Sequence, residues 1–202
     1  MKRLYVRYSR YLYFIIVCFV ERIQGLDFTM RDQRLLKETN NKLHGYAITP
    51  KKHLDEIFSC LSLEETDKFI DIGCGKGYVL WYASKYSFSE IMGIDIDERL
   101  IRIAHKNMER LKLHNVRLLC EDATKFSSYA TYGVYYLANP FGAEITRQVI
   151  DCIIQTMDGR KIVIIYYNPT YADYIESTKK FALKHRLHCK TKDYFTNIYE
   201  NV

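Results

Sequence analysis

Phe69-Ile70-Asp71-Ile72-Gly73-Cys74-Gly75-Lys76-Gly77 is the stretch on which the reading of this chain turns. Lys68–Ile72 is short and apolar, as a buried strand is, and the residues from Tyr78 to Lys85 read as a helix. Between them a glycine recurs at every second position. Without a Cβ the backbone there can turn sharply and approach a ligand closely. The first N–H groups of the following helix have no partner within the helix and point back at the same place. A glycine-rich loop is a weak signal alone, and its position after a strand and before a helix strengthens it.

Outward from this loop, strands and helices alternate. A helix from about Lys51 to Leu61 precedes it, with Thr49 read as its N-cap and Pro50 as its first helical residue. After it come a strand at Glu90–Asp95, a helix at Glu98–Leu111 and a strand at Val116–Cys120. Gly133–Ala138 reads as a strand, Ala143–Met157 as a helix and Lys161–Tyr167 as the most apolar strand. Tyr171–Leu183 reads as a helix, and Leu187–Thr191 with Tyr194–Tyr199 as a closing hairpin around Lys192-Asp193. Near-continuous apolar strands separated by helices imply an α/β, doubly wound, mostly parallel seven-stranded sheet covered on both faces. Such sheets bind ligands outside the carboxyl ends of their strands.

The other strand ends carry polar residues of matching kind. Strand two runs into Asp95-Ile96-Asp97, strand three into Glu121-Asp122-Ala123, and strand four into Asn139-Pro140-Phe141-Gly142. Asp95 directly ends its strand, where a carboxylate can accept two hydrogen bonds from a diol. Asp97 suits the cap of the next helix. A dinucleotide fingerprint, GxGxxG, would need a glycine at 78, where Tyr78 stands; the third glycine is Gly77, and Asp71 precedes the first by two.

The resulting DxGxGxG resembles motif I of the class I S-adenosylmethionine-dependent methyltransferases, and the resemblance extends over about residues 49–170. It implies an enzyme whose cofactor is S-adenosyl-L-methionine, held by Asp71, Gly73, Cys74, Gly75 and Gly77. It further implies Asp95 with Ile96 at the ribose, and Asp122 with Ala123 at the adenine. In this family the segment before the first core helix often closes over the cofactor, which makes Tyr46 and Thr49 lid contacts. Asn139-Pro140-Phe141 is similar to the (Asn/Asp)-Pro-Pro-(Tyr/Phe) signature of methyltransferases acting on amino or amide nitrogen, with one proline fewer. The similarity implies that Asn139, Pro140 and Phe141 position the acceptor: two carbonyls hold the target nitrogen and the ring packs over it. The alternative is that Asn139-Pro140 shapes the strand end and contacts the cofactor. Tyr166-Tyr167-Asn168-Pro169 either lines the acceptor pocket or is sheet followed by turn. His44 is the histidine nearest the site and a candidate base; the other histidines read as surface residues. No metal is expected. A non-catalytic S-adenosylmethionine-binding interaction protein and a nicotinamide-dependent oxidoreductase are the other readings.

The 202 residues suit one domain. Residues 1–48 read as a basic and apolar leader with a lid segment, and 49–202 as the cofactor-binding domain. Of the net charge of +6, Lys2, Arg3, Arg7 and Arg10 supply +4 with no acid among them. The nearly balanced remainder makes a protein side chain or a small amine the favoured acceptor and nucleic acid a less favoured one. Six cysteines show neither CxxC nor zinc spacing, and read as mostly buried thiols of a cytoplasmic protein. Tyr11–Val20 is a ten-residue apolar run, against the roughly 20 apolar residues a spanning helix needs. Residues 1–20 therefore read either as a helix packed on the domain or a partner, or as a peripheral contact with the inner face of a membrane.

Overall fold

The computed structural model describes residues 2–30 and 48–202, with the backbone alone for 2–10. Seven strands of the described residues form one sheet: β1 (Lys68–Ile72), β2 (Glu90–Asp95), β3 (Val116–Cys120), β4 (Val134–Leu137), β5 (Val163–Tyr167), β6 (Phe181–Cys189) and β7 (Tyr194–Asn201). Their order is β3-β2-β1-β4-β5-β7-β6. The first five run parallel, and β7 inserts antiparallel between β5 and β6. From β1 the chain winds outward to β3, then returns to lay β4 on the other side of β1. That reversal opens the crevice between β1 and β4 in which ligands of such sheets bind.

Six helices are described: α1 (Lys2–Ile23), α2 (Lys51–Ser59), α3 (Tyr78–Ala83), α4 (Glu98–Arg110), α5 (Ala143–Ile154) and α6 (Ala172–Ser177). The pleat sends alternate residues to opposite faces. Phe69 and Tyr136 join the cluster of Leu54, Ile57 and Phe58 from α2, Leu80 from α3 and Ile101 and Met108 from α4. Ile70, Ile72, Tyr135 and Leu137 join the cluster of Val149, Ile150 and Ile153 from α5 and Ile175 from α6. Each fully buried Ile or Phe contributes about 1.5–3 kcal/mol, so these central strands anchor the strand ends rigidly. Gly93 lets α3 approach β2: a Cβ there would stand 2.4 Å from Leu80 Cδ1.

Three expectations about local structure are corrected. Pro50, not Thr49, occupies the N-cap of α2, because the Thr49 hydroxyl is engaged 2.7 Å from the Tyr136 hydroxyl. The expected helix from Tyr171 to Leu183 stops at Ser177, and Phe181 already belongs to β6. Lys179 turns the chain with φ +56°, a left-handed conformation usually marked by Gly or Asn, so the stop carried no sequence signal. Of the six cysteines only Cys74 and Cys189 are buried, and Cys120 is exposed.

Candidate functional site

At the carboxyl end of β1 the loop turns on three left-handed glycines, Gly73, Gly75 and Gly77, with φ of +81°, +55° and +82°. The loop is stitched to β2 next door: the Gly73 and Cys74 N–H groups donate to the Ile94 carbonyl at 2.8 and 2.9 Å. Gly75 N–H donates to Asp95 Oδ2 at 2.8 Å, and Asp97 N–H to Asp95 Oδ1 at 2.9 Å. A Cβ on Gly73 would lie 2.6 Å from Pro140 Cβ, so the β1 loop and the β4 end are in contact across the crevice. Glu121 N–H donates to the Asp95 carbonyl at 3.0 Å, joining the ends of β2 and β3. The structure thus gathers all four strand ends into one continuous rim.

Asp71 lies under that rim, 2% exposed, and its Oδ1 has no hydrogen-bond partner among the described residues. Burial, and then the neighbouring Asp95 carboxylate, push the Asp71 carboxyl well above the usual carboxylate range. A buried acid left in this state is suited to pairing with a cationic group of a ligand. Asp95 is raised as well, chiefly by burial, while the Asp97 and Gly75 N–H groups oppose the shift. Ile96 beside it is 51% exposed. Asp97 caps α4 as expected, accepting from Arg99 N–H. Asp122 accepts from the Thr124 N–H at 2.9 Å and the Thr124 hydroxyl at 2.8 Å, both on Oδ1, so Oδ2 is the atom with no part in that turn.

Other expected site residues have different work. Cys74 turns its thiol into the core beneath Gly93, and its N–H and carbonyl are spent on Ile94 and Gly77. Its thiol is buried, and its backbone holds the turn. Ala123 is buried, and its carbonyl accepts from the Tyr129 hydroxyl at 2.7 Å. Thr49 is buried against Tyr136. Tyr46 and His44 lie outside the described residues.

At the β4 end, Asn139 adopts φ +51°, the left-handed conformation that asparagine tolerates better than most residues. Its side chain is held from both sides. The Tyr166 hydroxyl donates to Asn139 Oδ1 at 3.1 Å, and Asn139 Nδ2 donates to Thr170 Oγ1 at 3.0 Å. Phe141 departs from expectation: its ring is 6% exposed and packs in the apolar cluster on the α5 face of the sheet. With one proline fewer than in the signature, Gly142 becomes the N-cap of α5, and the ring next to it is drawn into the core.

Sequence reasoning missed several groups. Lys76 of the glycine loop is 2% exposed, and its Nζ donates to Asp27 Oδ1 and to the Met30 carbonyl, each at 2.6 Å. Asn107 of α4 exchanges hydrogen bonds with the Asp27 main chain and donates to the Lys76 carbonyl. His53, read as a surface residue, is 3% exposed, with Nε2 2.7 Å from Thr196 Oγ1. Burial lowers its pKa, which keeps it neutral near pH 7. None of these positions shows a motif; each is legible only from its distant partner.

Residues 63–186 match a family model described as a methyltransferase domain. The chain is 27% identical over 120 residues to an rRNA adenine N-6-methyltransferase of Lysinibacillus sphaericus, covering 59% of this chain and 47% of that protein. It is 27% identical over 82 residues to a ribosomal protein L11 methyltransferase of Thermotoga neapolitana, covering 41% and 31%. The matches thus span less than half the length of these relatives. Among solved structures, an RNA methyltransferase from Salinibacter ruber in complex with S-adenosyl-L-homocysteine shares the fold at a TM-score of 0.57 and 17% identity. That likeness covers 76% of this chain and 92% of the other.

Proposed function

This chain belongs to the methyltransferase domain family, and on that premise we propose that it is an S-adenosylmethionine-dependent methyltransferase acting on a nitrogen atom. Asp71, with its orphaned oxygen, pairs with the amino group of the cofactor's methionine part. Asp95 accepts from the ribose hydroxyls, Asp122 Oδ2 from the adenine amino group, and Ile96 offers an apolar surface beside the ribose. When bound, S-adenosylmethionine supplies a methyl group on an electrophilic sulfonium. The chain's own part is alignment and exclusion of water.

The observation that carries the nitrogen reading is the fixed Asn139. A side-chain amide oxygen accepts from an N–H, and Oδ1 can take two such bonds. The bond from Tyr166 orients it. The target N–H donates to Asn139 Oδ1, with the Pro140 carbonyl as the second acceptor, and this directs the nitrogen lone pair toward the crevice. The buried Phe141 has no place in this clamp. One matched relative is named for methylation at adenine N-6 and another for a ribosomal protein, so a nitrogen on a macromolecule agrees with both. The weak charge of the chain outside its first ten residues favours a protein side chain or a small amine.

Purified full-length chain with radiolabelled S-adenosylmethionine, supplied with lysate split into protein, nucleic-acid, lipid and small-molecule fractions, tests this. Label should enter protein or small amines, and Asn139→Ala should reduce it about a hundredfold without loss of cofactor binding. Label in nucleic acid that Asn139→Ala removes keeps the nitrogen clamp and changes the acceptor class. Label confined to lipid, or a fully active Asn139→Ala, overturns the clamp.

A further inference from the structure

Helix α1 carries an apolar stripe. Leu12, Ile16, Phe19 and Ile23 follow a spacing that puts them on one face, and they are 59%, 51%, 65% and 67% exposed. In the sequence Lys2, Arg3, Arg7 and Arg10 precede this stripe, and Glu21 falls half a turn away from it. Glu21 faces the domain: it accepts from the N–H groups of Phe28 and Thr29 at 3.0 and 2.8 Å. The apolar stripe therefore lies on the side of the helix away from the Glu21 contacts. Every residue from Tyr11 to Ile16 is exposed, so no described part of the chain covers this length of helix.

The far end of α1 is firmly seated. The Gln24 carbonyl accepts from Arg110 Nε at 2.8 Å, and Phe28 is buried against Tyr78 and Trp81. Asp27 and the Met30 carbonyl hold Lys76 of the glycine loop. Residues 24–30 thus form a strap that fixes the root of the exposed helix to the cofactor loop.

We propose that α1 lies in the interface of an anionic lipid bilayer, with its Leu12–Ile23 stripe among the acyl chains and its arginines at the headgroups. Charge complementarity selects this occupant. Four of the first ten residues are Lys or Arg with no acid before Glu21, as a negatively charged surface requires. A second copy of the chain packed on the apolar stripe would supply no anionic surface for the four basic residues of the first ten. No helix among the described residues is long and apolar enough to cross a membrane, so the contact is in the plane of the surface. The strap then sets the cofactor loop at a fixed orientation to the bilayer.

Flotation of the full chain with vesicles of phosphatidylcholine, or of phosphatidylcholine mixed with phosphatidylglycerol, is the test. The chain should float with the mixed vesicles, weakly with the neutral ones, and less as salt rises. A triple reversal, Arg3→Glu with Arg7→Glu and Arg10→Glu, should weaken partition at least about a hundredfold. Ile16→Glu with Phe19→Glu should abolish it. Unchanged S-adenosylhomocysteine binding shows that both variants are folded, whatever the acceptor proves to be. Absence of flotation with either vesicle overturns the proposal, and so does equal flotation of the wild type and the triple reversal. Self-association that Ile16→Glu with Phe19→Glu disperses, without flotation, also overturns it and assigns the stripe to a second copy.

Discussion

The two halves of the sheet present their site residues in different ways. At the ends of β2 and β3, each carboxylate is held by a neighbour in sequence, Asp95 by Asp97 N–H two residues on, with Gly75 N–H of the adjacent loop on its other oxygen, and Asp122 by Thr124 two residues on. At the ends of β4 and β5 they are held by remote partners. Asn139 is fixed by Tyr166 and Thr170, 27 and 31 residues away, and Thr49 meets Tyr136 across 87. His53 reaches Thr196 across 143 residues, and Lys192 the Ile48 carbonyl across 144. The carboxylates at the β2 and β3 ends are thus set largely by turns, and Asn139 at the β4 end by packing across the sheet. A domain so divided can keep one half while the other varies.

The division is testable. Gly73 sits on the seam, so Gly73→Ala should disturb both halves: the left-handed φ and the 2.6 Å approach to Pro140 leave no room for a methyl. We expect a stability loss of about 1–3 kcal/mol in denaturant unfolding, with cofactor affinity and turnover both falling. A variant that loses only one of these would break the comparison at its centre. Asp95→Ala belongs to the first half alone. It should weaken S-adenosylmethionine binding at least about tenfold by calorimetry, since a hydrogen bond to a charged group contributes about 1.5–3 kcal/mol. Unchanged affinity would remove Asp95 from the ribose. Tyr166→Phe belongs to the second half. Losing the bond to Asn139 should lower kcat about two- to tenfold while leaving the cofactor KM alone, and a rise in that KM instead would move Asn139 to the cofactor side.

The smallest expected effect is a pH dependence. Asp71 is held well above the usual carboxylate range by burial and by Asp95, so the folded state binds its proton more tightly than the unfolded chain. Stability of the cofactor-free protein should therefore fall as pH rises from about 3.9, the unfolded value, through the raised one. A cationic group against Asp71 favours the ionised form, so cofactor affinity should rise over the same window. Melting curves with and without S-adenosylhomocysteine across pH would show both slopes, and Asp71→Asn should flatten them. Persistence of the affinity slope in that variant would assign it to another group.

Legibility followed the same division. The strand–loop–helix around Gly73 and the carboxylates at the next two strand ends were readable because each depends on backbone needs that local residues must meet. Glycine at positive φ, an acid at the end of an apolar strand, and Asp97 as a cap are of this kind. The burial of Phe141 was not legible in this way, because its neighbourhood in sequence suggests a pocket, whereas its ring packs with the α5 side chains. The end of α6 was misread because Lys179 takes a conformation that lysine does not advertise.

By itself, then, the sequence determined the fold class, the order of the strands along the chain and the polar groups at the strand ends, since hydrophobic periodicity and turn chemistry are properties of short segments. Tertiary structure alone decided which side chains meet across the sheet. It locked Asn139 between Tyr166 and Thr170, buried His53, seated Lys76 on Asp27 and, among the described residues, left the apolar stripe of α1 uncovered. Those outcomes depend on which distant surfaces exclude water together, and no local window of the chain encodes that.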